Sequence, residues 1–211
     1  MLLNKMKKII ILDYGCGNIV SLQRAIKKIG FESLLSNKPD EISTATHLIL
    51  PGVGAFGNAM ELLNKFELVN IIKEHASRNK PLLGICLGMQ LFLTKSYEFG
   101  EHLGLNLIEG NVEKLSYQTK NKIKIPHIGW NEISFKNLNS KFKNFEKKNF
   151  YFVHSYIGKT TNPNDTIAFS KISDVKIPAV IKHENILGFQ FHPEKSRDNG
   201  LDLIKLFCNE N

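Results

Sequence analysis

Cysteine is scarce in this sequence: there are three in 211 residues, at positions 16, 86 and 208. The number is odd, the spacing wide, and no C-x-x-C pair occurs, so neither a disulfide framework nor a zinc site is indicated and each cysteine is expected as a free thiol. Long apolar runs are also missing. None approaches the roughly 20 residues of a membrane helix, and the stretch from Ile9 to Leu12 stops at Asp13, too short for the core of a secretory signal. No membrane contact and a cytoplasmic location are expected. Repeats, low-complexity linkers and breaks in composition are absent as well, which points to a single domain over residues 1–211. With 42% hydrophobic residues the chain can fill one packed core. The net charge of +8 is not interleaved with stacking aromatics. Its lysines are spread along the chain, and the cluster Lys141, Lys143, Lys147 and Lys148 reads as a solvated loop, so no nucleic-acid partner is expected.

What is present is an alternation of short β-branched or apolar runs with longer amphipathic segments, the pattern of a largely parallel sheet covered by helices. Lys8 to Leu12 reads as a strand and Ser21 to Ile29 as a helix with Leu22, Ala25, Ile26 and Ile29 on one face, ended by Gly30. Strands are expected near Phe31 to Leu35 and at His47 to Leu50, a helix over Ala59 to Ser77, and a strand opened by Pro81 that runs to Cys86. The second half is β-rich. Strands are expected at Val112 to Leu115, Ile123 to His127, Glu132 to Phe135, Tyr151 to His154, Ile167 to Ser170, Ala179 to Lys182 and Gly188 to Phe191, with one helix at Leu201 to Phe207. The expected fold is therefore α/β, with the two halves sharing one mixed sheet.

The segment Gly84-Ile85-Cys86-Leu87-Gly88 places a cysteine between two glycines where a buried strand turns into a helix. Glycine lets such a turn be tight and lets neighbouring backbone approach, lifting the side chain at its apex to the open end of the sheet. A helix expected from Leu87 towards Lys95 would aim its N-terminus at the thiol and favour thiolate. Glycines needed for packing around a buried cysteine explain the same pattern. Cys16 in Gly15-Cys16-Gly17 also follows a strand and precedes a helix, so the glycines alone do not choose between the two.

A base chooses. Phe189-Gln190-Phe191-His192-Pro193-Glu194 ends a strand with a histidine and a carboxylate two residues apart, and in extended backbone residues i and i+2 point to the same side. Pro193 holds His192 away from helical geometry. Glu194 can then accept from one imidazole nitrogen while the other takes a proton from a thiol, giving a Cys86, His192, Glu194 triad of nucleophile, acid-base and orienter. Pro51-Gly52-Val53-Gly54 follows an earlier strand. It reads either as a plain glycine-rich turn or as an oxyanion hole, with backbone N–H groups at Gly52 and Val53 and a second donor at Leu87. No group has metal-ligand spacing, the Gly15-x-Gly17 pair lacks the third glycine of a dinucleotide site, and the triad needs no cofactor.

These elements, in this order, resemble the class I glutamine amidotransferases, with G-I-C-L-G-M-Q carrying the cysteine and G-F-Q-F-H-P-E the histidine and glutamate. The further segments D-Y-G-C-G-N from Asp13, P-G-V-G-A-F from Pro51, P-H-I-G-W-N from Pro126 and Y-F-V-H-S-Y from Tyr151 are similar to the glutaminase subunits of imidazole glycerol phosphate synthase. The resemblance runs over nearly the whole chain. It implies a flavodoxin-like fold, hydrolysis of L-glutamine to glutamate and ammonia, and a heterodimer in which ammonia passes through a channel to a (β/α)8-barrel cyclase of histidine biosynthesis. It further implies that Gln90 and Glu98, with backbone from Ser155 and Tyr156, line the glutamine pocket, and that Asn18, Trp130, Asn131 and Tyr151 face the partner. Cys16 departs from the apolar residue more usual there and is expected to pack as a small hydrophobe.

Three other readings compete. The same chemistry could feed a sugar amidotransferase of surface-glycan synthesis. A stand-alone γ-glutamyl hydrolase or peptidase would share the triad, but the aromatic P-H-I-G-W-N segment has the character of an interface. A binding module without chemistry is disfavoured because all three triad positions are filled.

Overall fold

The computed structural model describes residues 7–119, 123–137 and 141–210. Its nine-stranded sheet runs in the order β2, β1, β3, β4, β13, β12, β11, β8, β9. These are β1 (Ile9–Leu12), β2 (Ser33–Ser36), β3 (His47–Leu50), β4 (Leu82–Ile85), β8 (His127–Phe135), β9 (Asn149–His154), β11 (Thr166–Ile172), β12 (Val175–His183) and β13 (Ile186–Phe189). The first five in spatial order are parallel and the rest extend the sheet antiparallel. Strands from both halves of the chain thus share one mixed sheet. A second sheet of four strands, in the order β10 (Tyr156–Thr160), β7 (Ile108–Lys114), β5 (Leu93–Ser96) and β6 (His102–Leu103), was not expected.

The strand alternation sorts the core into two layers. Ile9 and Ile11 pack on one face with Leu22 and Ile26 of α1 (Ile19–Lys28) and Leu203, Ile204 and Phe207 of α6 (Arg197–Cys208). Ile10 and Leu12 pack on the other with Leu63 of α3 (Phe56–Lys65) and Leu68 and Ile72 of α4 (Leu68–Ser77). A short α2 (Pro39–Ser43) buries Ile42 beside them. Strands β1, β3 and β4 are buried throughout, as strands covered on both faces must be.

Several boundaries differ from the sequence reading. The helix expected over Ala59 to Ser77 is two, α3 and α4, because Glu67 takes a left-handed φ of 57° and turns the chain between them. The strand expected over Ile123 to His127 begins instead at His127 and continues through Phe135, since Pro126 has no N–H for the ladder. The helix expected to reach Lys95 ends at Leu91 as α5 (Leu87–Leu91), because Leu93 pairs with Ile108 and the chain joins the second sheet. Residues 91 to 93 are all buried, an apolar run without the polar face a longer surface helix would show.

Candidate active site

Parallel α/β sheets open their clefts at the carboxyl ends of the strands, and β3, β4 and β13 end side by side there. Cys86 follows β4. Its φ of 54° and ψ of −109° lie outside the ordinary left-handed well, so the strain of the turn sits on the cysteine itself and not on its glycines. The glycines provide clearance. A Cβ on Gly88 would lie 1.8 Å from the Leu50 carbonyl oxygen, and one on Gly52 would meet Gly88 N and Leu87 Cβ at 2.9 Å. The end of β3 and the turn after β4 therefore interlock with no room for side chains between them.

His192 and Glu194 come together as the i, i+2 spacing requires, with Nδ1 and Oε1 2.8 Å apart and both side chains buried. Burial disfavours the charged imidazole, but Cys86 and Glu194 outweigh it and push His192 up to about 10. Cys86 favours the imidazolium through hydrogen bonding to the ring first and through nearby charge second, as Glu194 does from the other side, which makes the thiol the natural partner of Nε2. Nε2 is buried and makes no other side-chain or backbone hydrogen bond among the described residues. The segment is tied down locally: the Ser196 hydroxyl donates to the His192 carbonyl at 2.7 Å and accepts from Tyr151 N–H at 2.9 Å, while His192 N–H donates to the Tyr151 carbonyl at 2.9 Å.

Cys86 and His192 line one pocket of about 260 Å3 together with Val53, Leu87, Gln90, Glu98, Ser155 and Tyr156. A cavity of about 320 Å3 lies at the opposite end of the sheet, around Pro81 and Ile186, and its lining includes no cysteine or histidine. The chain crosses from the large sheet to the small one between His154 and Tyr156, so the pocket sits at the junction of the two. Gln90 Nε2 donates to the Tyr156 carbonyl at 3.0 Å and to Gln190 Oε1 at 3.1 Å. Gln190 Nε2 in turn reaches Cys86 Sγ at 3.9 Å. Glu98 accepts from Phe56 N–H at 2.6 Å, at the start of α3, and burial raises its carboxyl above the usual range. Of the proposed backbone donors, Leu87 N–H precedes the first internal bond of α5, from Gln90 N–H to the Cys86 carbonyl at 3.2 Å. Gly52 lies against the same turn.

On β8 and β9 Trp130 pairs in register with Tyr151, their rings 5.9 Å apart, and Trp130 is 44% exposed. Arg197 stands 5.1 Å over the Trp130 ring and Lys195 5.9 Å over Tyr151. Asn131 lies on the same strand, and Asn18, which precedes α1, lines a small cleft with Gly52, His192 and Glu194. Cys16 is buried in the second core layer, and burial raises its thiol. Sequence reasoning missed Ser196, Gln190 and Tyr14, whose hydroxyl donates to the Pro51 carbonyl at 2.7 Å. Gln190 was within reach: it stands two residues before His192 in an extended run, and so shares its side.

A strained cysteine shares its pocket with a histidine-carboxylate pair and with Gln90 and Glu98, an arrangement suited to nucleophilic attack on an amide. The family model described as "Glutamine amidotransferase class-I" matches residues 10–210. The chain is similar to "Imidazole glycerol phosphate synthase subunit HisH" of Lactococcus lactis subsp. lactis (strain IL1403), 44% identical over 97% of this chain and 100% of that one. It is also similar to the protein of that name from Aquifex aeolicus (strain VF5), 42% identical over 94% of each. Among solved structures, one described as "Crystal structure of glutamine amidotransferase" superposes with a TM-score of 0.73 at 17% identity, covering 95% of this chain and 99% of its own. At that identity it speaks for the fold alone. The chain belongs to the class-I glutamine amidotransferases, in the branch of the HisH subunits of imidazole glycerol phosphate synthase. The surface-glycan and stand-alone readings find no support in these relatives. Among the described residues no helix is long and apolar enough to cross a membrane.

Proposed function

We propose that this chain hydrolyses L-glutamine to glutamate and ammonia with Cys86 as nucleophile. The observation that carries the reading is the buried His192 to Glu194 contact of 2.8 Å, with Cys86 acting on the same imidazole in the pocket that both Cys86 and His192 line. Sγ attacks the amide carbon of glutamine, and its proton is held on His192. The tetrahedral oxyanion is received by N–H groups at Leu87 and at Gly52 or Val53. The C–N bond then breaks, the nitrogen takes the His192 proton and leaves as ammonia, and a γ-glutamyl thioester remains. Water, losing a proton to His192, attacks the thioester and releases glutamate and the thiol. Glu194 holds the imidazole in the tautomer these steps need.

Gln90, Glu98 and the backbone at Ser155 and Tyr156 hold the substrate. Ammonia passes to a separate (β/α)8-barrel cyclase seated on the face of Asn18, Trp130, Asn131 and Tyr151, which uses it to make imidazole glycerol phosphate in histidine biosynthesis. The exposed Trp130, paired with the half-buried Tyr151 and its two cations, supports that face as the docking surface. The test is glutamate release by the purified chain with and without the cyclase, joined to rescue of a histidine auxotroph that lacks this subunit. Low basal activity, stimulation by the loaded cyclase and rescue are expected. Full activity of the chain alone would point to a stand-alone hydrolase.

A further inference from the structure

A line of polar contacts crosses from the Lys171 carbonyl on β11, by way of β8 and β9, to the pocket wall. The Tyr156 carbonyl is 2.9 Å from His154 Nδ1, and His154 Nε2 is 3.2 Å from His127 Nδ1. His127 Nε2 is 2.9 Å from Asn131 Oδ1, and Asn131 Nδ2 is 3.1 Å from the Lys171 carbonyl. Both ends are carbonyl oxygens, which only accept. The protons can therefore be assigned from the ends inward. The Lys171 carbonyl fixes the Asn131 amide with Nδ2 towards it, so Oδ1 is what faces His127. The Tyr156 carbonyl fixes the His154 proton on Nδ1, so His154 Nε2 is a lone pair facing His127 from the other side.

His127 thus stands between two acceptors. A neutral imidazole has one N–H and can satisfy only one of them; the other contact is left lone pair to lone pair. One added proton, on His127 Nδ1 or on His154 Nε2, completes every link in the line. His154 is the poorer host: it is 6% exposed, burial holds it down to about 4, and His192 acts on it from the triad side. His127 is half-buried, and there burial lowers the imidazole while Asn131 supports the charged form. The titratable groups acting on the two rings are thus each other and His192, with no carboxylate among those described to hold the proton in place. The Phe152 ring packs 5.8 Å from one ring and 5.9 Å from the other, so both are fixed in position.

We infer that His127 is a positioning residue for glutamine, linking Asn131 on β8 through His154 to the Tyr156 carbonyl, and that the link closes only when His127 carries a second proton. The carbonyl at its inner end is the one that holds the Gln90 amide, and Tyr156 lines the pocket itself. His154 Nδ1–H donates to that carbonyl in either state; closing the line steadies the His154 ring that makes the bond, and opening it sets two lone pairs against each other and loosens that ring. The inference rests on the reading of this pocket as the glutamine site, and its test separates the two.

Histidine-labelled nitrogen NMR of the whole chain from about pH 8 to about pH 5 should show His154 neutral with its proton on Nδ1 across most of that range. The Tyr156 carbonyl carbon should move in step with the titration of His127. Glutamine affinity, measured by calorimetry in a Cys86→Ser background that stops turnover, should rise as His127 gains its proton. In His127→Phe on that background, glutamine should bind about threefold to tenfold more weakly, the loss of one or two hydrogen bonds, with the pH dependence gone. A proton on His154 Nε2, a Tyr156 carbonyl indifferent to His127, or an unchanged pH dependence in His127→Phe would overturn the inference. Should the unsubstituted pocket bind no glutamine at any pH, the functional reading falls, while the NMR of the unsubstituted chain still decides whether the line of contacts closes.

Discussion

At Gly15-Cys16-Gly17 the two glycines take the left-handed backbone, with φ of +90° and +129°, and the cysteine between them packs into the core. At Gly84-Ile85-Cys86-Leu87-Gly88 the duties are exchanged. The cysteine takes the strained φ of 54°, and the glycines serve by being small where other backbone passes. The first turn uses glycine to relieve strain and leaves an inert thiol that burial raises further from ionisation. The second keeps the strain on Cys86, which lines a pocket with His192 and which we propose as the nucleophile. Glycines on either side of a cysteine therefore report a tight turn in both cases. What separates nucleophile from packing residue is which residue bears the unusual backbone and whether a base faces it.

The sharpest way to break that comparison is to remove each sulfur. Cys86→Ala is expected to lower glutamate release at least about a thousandfold, to background, with binding to the cyclase retained. Cys16→Ala is expected to leave turnover within about twofold and to cost about 1 kcal/mol in urea unfolding. Equal losses from both would show that the strained turn does not mark the nucleophile. Next in size is the support of the base. Glu194→Gln keeps the shape of the contact but removes one of the two charges that favour the imidazolium, so the His192 value should fall from about 10 and kcat should drop about a hundredfold. Histidine NMR and steady-state kinetics on the same sample test it, and an unmoved His192 would leave Cys86 as the sole source of the shift.

The sequence made the sheet core legible because buried parallel strands are near-continuous apolar runs: His47 to Leu50 was placed to the residue, and β4 within one. It made His192 and Glu194 legible because proline restricts the local backbone. It misplaced the end of α5 because Leu91 to Leu93 are apolar in any geometry, and only the pairing of Leu93 with Ile108, further along the chain, ends the helix and starts β5 there. The small sheet escaped for the same reason: β5, β6 and β10 are short and depend on partners the local pattern cannot see. Ser196 escaped because a serine that ties two backbone segments together looks, in one dimension, like any serine before a helix.

The finest test asks whether the two cysteine turns are independent. Tyr14, two residues before Cys16, sends its hydroxyl to the Pro51 carbonyl at 2.7 Å, and its oxygen lies only 3.0 Å from where a Cβ on Gly52 would be. Gly52 in turn lies against Leu87 and Gly88. The Cys16 turn thus holds the backbone that faces the Cys86 turn. Burial keeps the Tyr14 hydroxyl protonated, so it acts only as a donor to that carbonyl and not as an acid or base. Tyr14→Phe removes the bond and keeps the ring, leaving the buried Pro51 oxygen unpaired at a cost of about 1 kcal/mol. If that carbonyl fixes the peptide that presents Gly52, kcat should fall about threefold to tenfold while KM for glutamine holds, because an oxyanion donor acts after the substrate is bound. A rise in KM with kcat intact would instead show that Tyr14 shapes the pocket, and an unchanged enzyme would show that the two turns work apart.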